Sequence, residues 1–289
     1  MMPGLPEPHR TFNVMSIVGT PGVALFANDD LVTTSPNDTA YVVSATSAMT
    51  GGQFRVYRIG AECEFAPDGS RVRFAGDLVI ENDGAKVRVR RTHAEVEVRL
   101  DLEATDTITH FVRLPGVYRH WSRLCHASGR VGDVDVAGLA TLEYACGVGT
   151  HSLLDRRLPN LPANLFTYHV LNVDDRTQLL FSHVTGPGRI PVQRAVHIRT
   201  PGSVERVRAG HRWDVDEYAP EPLVTPDGRT MRMPERFTWG ATGIEVRGTA
   251  AGDWVYGLGA GYVGSYDYEG TLRGKAITGV AYIEYVDVR

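Results

Sequence analysis

Hydrophobic and polar residues alternate with a period of two along much of this chain. The clearest stretch is AEVEVRLDLEA, where Val96, Val98, Leu100 and Leu102 alternate with Glu95, Glu97, Arg99, Asp101 and Glu103. Successive side chains of a strand project to opposite faces, so the pattern predicts an antiparallel strand, apolar inward and charged outward. GAKVRVRR, FRVYRIG and TGIEVRG repeat it. Turn signals recur at Pro67-Asp68-Gly69, Asn82-Asp83-Gly84, Asp174-Asp175, Pro226-Asp227-Gly228 and Ala251-Gly252-Asp253. No amphipathic helix persists beyond about two turns, and LLDRRLPNL is broken by Pro159. Many short strands closed by tight turns predict an all-β barrel or sandwich. No GxGxxG or Walker-type loop joins a strand to a helix, so no nucleotide cradle is visible.

The chain also resembles itself. VDVAGLATLEYACG (Val134 to Gly147) matches KAITGVAYIEYVDV (Lys275 to Val288), aligning Gly138, Ala140, Glu143 and Tyr144 with Gly279, Ala281, Glu284 and Tyr285 at an offset of 141 residues. Each copy follows a PDG turn. A shared order of hairpin, strands and closing strand supports duplication. The prediction is two antiparallel β-barrel domains in tandem, residues 1–155 and 156–289, with the boundary in the Gly- and Pro-rich stretch 147–164.

Composition narrows the classes of function. At 289 residues, 43% hydrophobic and 22% charged, the chain is ordinary for a globular protein. A net charge of −4 argues against a general nucleic-acid binder. All of the basic residues but Lys86 and Lys275 are arginines, scattered rather than gathered on one stripe. Cys63, Cys125 and Cys146 show no CxxC spacing, so buried free thiols are expected rather than disulfides or structural zinc. The first residues lack the pattern of a signal peptide. No apolar run approaches the roughly 18 residues of a membrane span. The expectation is a soluble, cytoplasmic protein.

At this point a family resemblance emerges. The chain resembles the superfamily with two lipocalin-like domains that includes hydroxyneurosporene synthase (carotenoid 1,2-hydratase), kievitone hydratase and decalin-forming Diels–Alderases. The family's closing-strand signature, G-x-x-W-x-D-H-x-W-G, is matched by Gly138 to Gly147. The strand pair opening the second domain is matched by Asn164 to Val184, and the preceding aromatic strand by Tyr118 to Arg123. Glu143-Tyr144 stands where the family has Asp-His, and Cys146 where it has the second Trp. The carboxylate survives and the imidazole does not. The resemblance implies lipocalin-like (calycin-type) barrels and a terpenoid- or polyketide-like substrate.

The repeated glutamates lead the candidate chemistry. Glu284 shares strand parity with Val280, Tyr282, Val286 and Val288, and Glu143 with Leu139, Thr141 and Ala145. A carboxyl facing a barrel interior would be desolvated, raised in pKa and suited to donate a proton. Tyr144 and Tyr285 fall on the opposite parity, where a phenol at a domain cleft could stabilise an enolate, although packing is the commoner role for such a residue. His120 and His169 are strand histidines suited to acid/base work, against the bland alternative of satisfied structural residues. If the second-domain hairpin turns on Asp175-Arg176, Tyr168 faces His183, and His183 and His169 lie on different faces. No HxH, HExxH or 2-His-carboxylate spacing appears, so no metal is expected. Serine hydrolysis lacks a G-x-S-x-G, and the cysteines have no adjacent basic partner. Tyr118, Trp121, Tyr168, Trp239, Trp254 and Tyr282, with His183, are candidates for an aromatic substrate pocket, though a barrel core needs the same residues. GLGAGYVGSYDYEG either lets backbones approach closely or forms a loop over a barrel mouth.

These residues together with the resemblance imply a cofactor-independent enzyme that rearranges a hydrophobic small molecule without redox chemistry, by hydration or dehydration, isomerisation or cyclisation. The alternative is a non-catalytic carrier of a lipid or pigment in a barrel cavity, which fold alone does not distinguish. No nucleic acid or membrane span enters either picture, and the oligomeric state is not legible.

Overall fold

The computed structural model describes residues 1–20, 25, 31–49, 52–92, 95–148 and 163–289. It is almost wholly antiparallel β-structure. The first strands are β1 (Met2–Pro3), β2 (Thr11–Val18), β3 (Thr39–Thr46), β4 (Gln53–Arg58), β5 (Cys63–Phe65), β6 (Arg71–Phe74), β7 (Leu78–Asn82) and β8 (Lys86–Arg91). Three long strands follow: β9 (Val98–Leu114), β10 (Tyr118–Val131) and β11 (Val134–Gly147). After them come β12 (Leu165–Asn172), β13 (Gln178–Thr185), β14 (Pro191–Thr200), β15 (Ser203–Val207), β16 (Arg212–Tyr218), β17 (Leu223–Val224) and β18 (Thr230–Met231). The chain ends with β19 (Pro234–Ala241), β20 (Ile244–Ala250), β21 (Val255–Leu258), β22 (Gly261–Leu272) and β23 (Lys275–Asp287). One helical turn, Ile59–Glu62, follows β4. LLDRRLPNL and the division expected at residues 155 and 156 lie outside the described residues.

Strands β1–β4 make one sheet and β5–β11 a seven-stranded meander. The two close over a common core in which Ala40, Val42 and Tyr57 meet Phe74, Leu78, Val87 and Leu102. Period-two patterning does this directly: in β8 Val87, Val89 and Arg91 are buried while Lys86, Arg88 and Arg90 are exposed. The Tyr57 hydroxyl donates to Asp77 at 2.8 Å, and Arg55 spans Asp77 (2.6 Å) and Glu62 (2.8 Å), tying one sheet to the other.

The later strands run in the order β15-β14-β13-β12-β23-β22-β20-β19-β16, with β21 beside β22 and β17–β18 as a separate ribbon. The sheet curls until Trp213 on edge strand β16 stands 5.1 Å, ring to ring, from His169 on β12. Its interior is filled by Leu171, Phe181, Phe237, Trp239, Tyr266 and Ile283. Among the described residues, strands up to β11 pair only with one another, as do those from β12 onward. Strand β3 joins the two systems: Ala40 and Val42 face the first core, while Val43 and Ala45 pack with Val255, Leu258 and Tyr262. Every residue of β3 is therefore buried.

The repeat is also structural. β11 and β23 each follow a tight hairpin, and Gly138 and Gly279 share an unusual backbone conformation, φ +157° and +158°, that side-chain-bearing residues rarely adopt.

Three expectations are corrected or decided between alternatives. The β12–β13 loop spans five residues from Val173 to Thr177, held by the Asp174 carboxylate accepting the Arg176 and Thr177 amides at 2.9 and 2.6 Å. This odd length slips the register by one: Tyr168 faces Ser182 and Thr167 faces His183, so His183 and His169 share a face. The glycine-rich stretch is mostly strand β22 rather than a loop. A Cβ on Gly261 or Gly270 would lie 2.4 Å from the Tyr285 carbonyl or 2.0 Å from that of Glu245, so close backbone approach explains those glycines. Nor are all the thiols buried: Cys125 is, Cys63 is half-buried and Cys146 is exposed.

Candidate functional site

Strands β10 and β11 alternate between two environments. Cys125, Ala127, Val136 and Ala140 enter the first core. His120, Ser122, Leu139, Thr141 and Glu143 take the other face, with Ser122 paired to Glu143 in register. Strands β12 and β23 alternate likewise: His169, Leu171, Ala281 and Ile283 point into the curled sheet, whereas Tyr168, Val170 and Tyr282 point out, and Tyr168 pairs with Glu284. The outward faces of the two systems meet, and the repeated glutamates converge in the seam between them. Neither glutamate faces a barrel interior as expected, because strand parity identifies residues sharing a face and not which face is enclosed.

Glu143 sits at the centre. One carboxylate oxygen lies 3.1 Å from His120 Nε2, and the other accepts a short hydrogen bond from the Tyr168 hydroxyl. Its side chain keeps 18% exposure, leaving it open at one edge. The ring of Phe111 packs on both His120 and Tyr168, at 4.7 and 5.9 Å. Behind it lies Arg199, fully buried, donating to Ser122 Oγ (2.8 Å), Thr141 Oγ1 (2.6 Å) and Gln178 Oε1 (2.9 Å). All three acceptors are neutral. Glu284 is 7% exposed and accepts from the Tyr282 hydroxyl at 3.0 Å.

Electrostatics separate the two carboxyls. Burial pushes Glu143 up, but hydrogen bonds from His120 and Tyr168 and the charge of Arg199 outweigh it and hold the group below its ordinary value. Glu143 is thus a carboxylate near neutral pH, and His120 must carry its donated proton on Nε2, since a carboxylate only accepts. Glu284 has burial and repulsion from Glu143 acting together, and its carboxyl is pushed up to about 8. The expectation of a raised carboxyl at position 143 is therefore not met: Glu143 is held low, and the raised carboxyl is that of Glu284. Burial and the Glu143 charge raise the Tyr168 phenol well above its usual range, keeping it a donor.

The remaining candidates disperse. His169 lies inside the curled sheet among Phe181, Trp213, Phe237, Trp239 and Tyr266. It is bonded to Thr167 Oγ1 (2.9 Å) and the Tyr266 hydroxyl (3.1 Å), and burial lowers its pKa well below the usual value. It is a neutral core residue. Trp239 is fully buried beside it, stacked on Phe181 at 4.8 Å, and His183 shares this inner face. Trp254 is half-buried between the two apolar clusters. Tyr144 points away from Glu143, 42% exposed and stacked on Trp121 at 5.7 Å. Tyr285 donates to Asp287 on the inner parity. Tyr118 lies 6.4 Å from the His120 ring, and Tyr168 and Tyr282 bond the two glutamates.

Sequence reasoning missed Arg199, Gln178 and Phe111. Arg199 is one arginine among many, and its only signal was the alternation in VQRAVHIRT that sets it opposite Val196 and Ile198. Among the described residues no group of three or more His, Cys, Asp or Glu side chains is arranged to hold a metal ion.

No curated protein sequence matches the chain. Solved structures share its fold. An AttH-like protein from Nitrosomonas europaea aligns at a TM-score of 0.62 and 14% identity, over 87% of this chain and 81% of that one. Kievitone hydratase from Nectria haematococca aligns at 0.57 and 12%, over 86% and 79%. At such identities the likeness concerns the fold alone. The profile of a family of unknown function, DUF6670, matches residues 15–289, and the chain belongs to that family.

Proposed function

We propose that this protein is an enzyme catalysing a non-redox proton-transfer rearrangement of a hydrophobic small molecule: hydration or dehydration, isomerisation or cyclisation. The carrying observation is the seam itself: Glu143 is held by His120 Nε2 at 3.1 Å and by the Tyr168 hydroxyl, whereas the buried Glu284 has the Tyr282 hydroxyl at 3.0 Å, surroundings that hold the first carboxyl low and push the second up to about 8. Titratable groups pushed apart by their surroundings are the arrangement that acid/base chemistry requires. In a dehydration, Glu143 takes a proton from carbon while Glu284 delivers one to the departing hydroxyl. A C–H and a C–O bond break, a C=C bond forms and water leaves. Hydration is the reverse. Tyr168 and His120 orient the Glu143 carboxylate and hold it ionised, with a smaller contribution from the charge of the buried Arg199.

Occurrence of this fold in a hydratase supports the reading. Storage of a ligand inside the second sheet is disfavoured, because Trp239, Phe181, Phe237 and Tyr266 occupy that interior. The test begins with mass spectrometry of small molecules extracted from the purified protein and continues with turnover of those compounds. Wild type should convert one of them, and Glu143→Gln should lose about a thousandfold in kcat. Unaltered recovery of every extracted compound, or full activity in the variant, defeats the proposal.

A further inference from the structure

Strands β9, β10 and β11 run past the seam and end in an apolar tip. Of ten large hydrophobic side chains exposed among the described residues, five lie here: Leu114 (54%), Val117 (57%), Tyr118, Tyr144 and Val148 (44%). They are one surface, since Tyr118 pairs with both Leu114 and Gly147, and the Val148 amide donates to the Val117 carbonyl at 3.0 Å. Gly147 has no room for a side chain because the Tyr118 ring covers it; a Cβ would lie 2.6 Å from that ring.

Charge around the tip runs against that of the whole protein. Residues 109–123 and 144–148 contain Arg113, Arg119 and Arg123 and no Asp or Glu, in a chain of net charge −4. Arg119 lies over the Tyr144 ring at 5.6 Å and Arg123 over Trp121 at 5.8 Å. Exposed aliphatic side chains at the end, a stacked Trp–Tyr pair behind them and a cationic collar whose neighbouring carboxylate, Glu143, is turned to the opposite strand face and bonded to His120 and Tyr168 match the depth profile of a lipid interface. Aliphatics enter the acyl region, amphipathic aromatics sit at headgroup level, and arginines meet lipid phosphates.

We propose that this tip docks the protein on the surface of an anionic bilayer and that the substrate of the seam site is an apolar molecule dissolved in that bilayer. The second half rests on the enzymatic reading above; the docking does not. The route is short: Tyr118 at the tip is 6.4 Å from His120, whose ring contacts Phe111 beside Glu143. An apolar substrate passing along these rings avoids bulk water.

The experiment is co-sedimentation of the full chain with vesicles of phosphatidylcholine alone or mixed with phosphatidylserine. Wild type should sediment with the mixed vesicles, much less with the neutral ones, and should be released by salt. Leu114→Asp/Val117→Asp should abolish binding, and Arg113→Glu/Arg119→Glu should weaken it at least about tenfold. These side chains are exposed, so both variants should retain the wild-type melting temperature, which is measured in parallel. Glu143→Gln should bind like wild type, which separates failure of docking from failure of catalysis. Absence of sedimentation, equal binding by all variants, or a dimer in sedimentation velocity that Leu114→Asp/Val117→Asp dissolves would overturn the proposal, the last by making the tip a contact with a second copy.

Discussion

The two faces of strand β12 show how one element serves opposite ends. Its inward residues, Thr167, His169 and Leu171, enter an aromatic interior where the histidine is bonded on both nitrogens and kept neutral. Its outward residue Tyr168 enters the seam and holds a carboxylate. Burial is deep on both faces, yet only the seam holds charge, because it gathers Arg199, Glu143 and His120 with enough donors to compensate it. Desolvation beside neutral hydroxyls alone leaves a neutral histidine, whereas desolvation beside hydrogen-bond donors and a positive charge leaves an ionised glutamate. A buried titratable group is thus read from its neighbours rather than from its burial.

This contrast can be broken by substitution. Beside the large loss expected for Glu143→Gln, the inner face should respond in stability alone. His169→Gln should lower unfolding free energy by about 1–3 kcal/mol by leaving the Tyr266 and Thr167 groups poorly paired, measured by urea denaturation. Its activity per folded molecule should stay within about threefold. A loss comparable to that of Glu143→Gln would place chemistry inside the sheet and end the distinction.

Glu284 sharpens the comparison through pH. If its proton is used, activity falls about tenfold per pH unit above about 8, and Glu284→Gln lowers activity and removes that limb. Stability should follow the same group. In the unfolded chain this carboxyl ionises near about 4.3, whereas in the folded chain it stays protonated until about 8. Between those values the folded state holds the extra proton, so its stabilising contribution is lost as pH rises through the window and is gone above 8. Glu284→Gln should therefore melt several degrees above wild type at pH 9 and lose that advantage at pH 4. Equal melting at both pH values would refute the assignment.

The smallest effect belongs to Tyr144. Exposed and turned away from Glu143, Tyr144→Ala should change stability by less than about 0.5 kcal/mol and turnover of a water-soluble substrate by less than twofold. A larger kinetic loss would restore the tyrosine to the site.

Much of this architecture was legible from alternation and repetition. Val87 and Val89 on β8 are buried as their period requires, and the aligned Gly138 and Gly279 share a backbone conformation. The glutamates stood out through their equivalent places in the repeat, and Tyr168 through its strand. Arg199 and Gln178 did not, since each is an ordinary residue in its own segment and becomes distinctive only opposite Thr141 and Ser122, dozens of positions away.

The sequence by itself determined that strands form, which residues share a face and that two glutamates occupy matching positions, because all three are properties of local periodicity. Only the tertiary structure decided that these faces turn toward one another, since enclosure depends on how sheets curl and pack. That packing gave one glutamate a set of donors and the other a repelling neighbour, and so made two like residues chemically unlike.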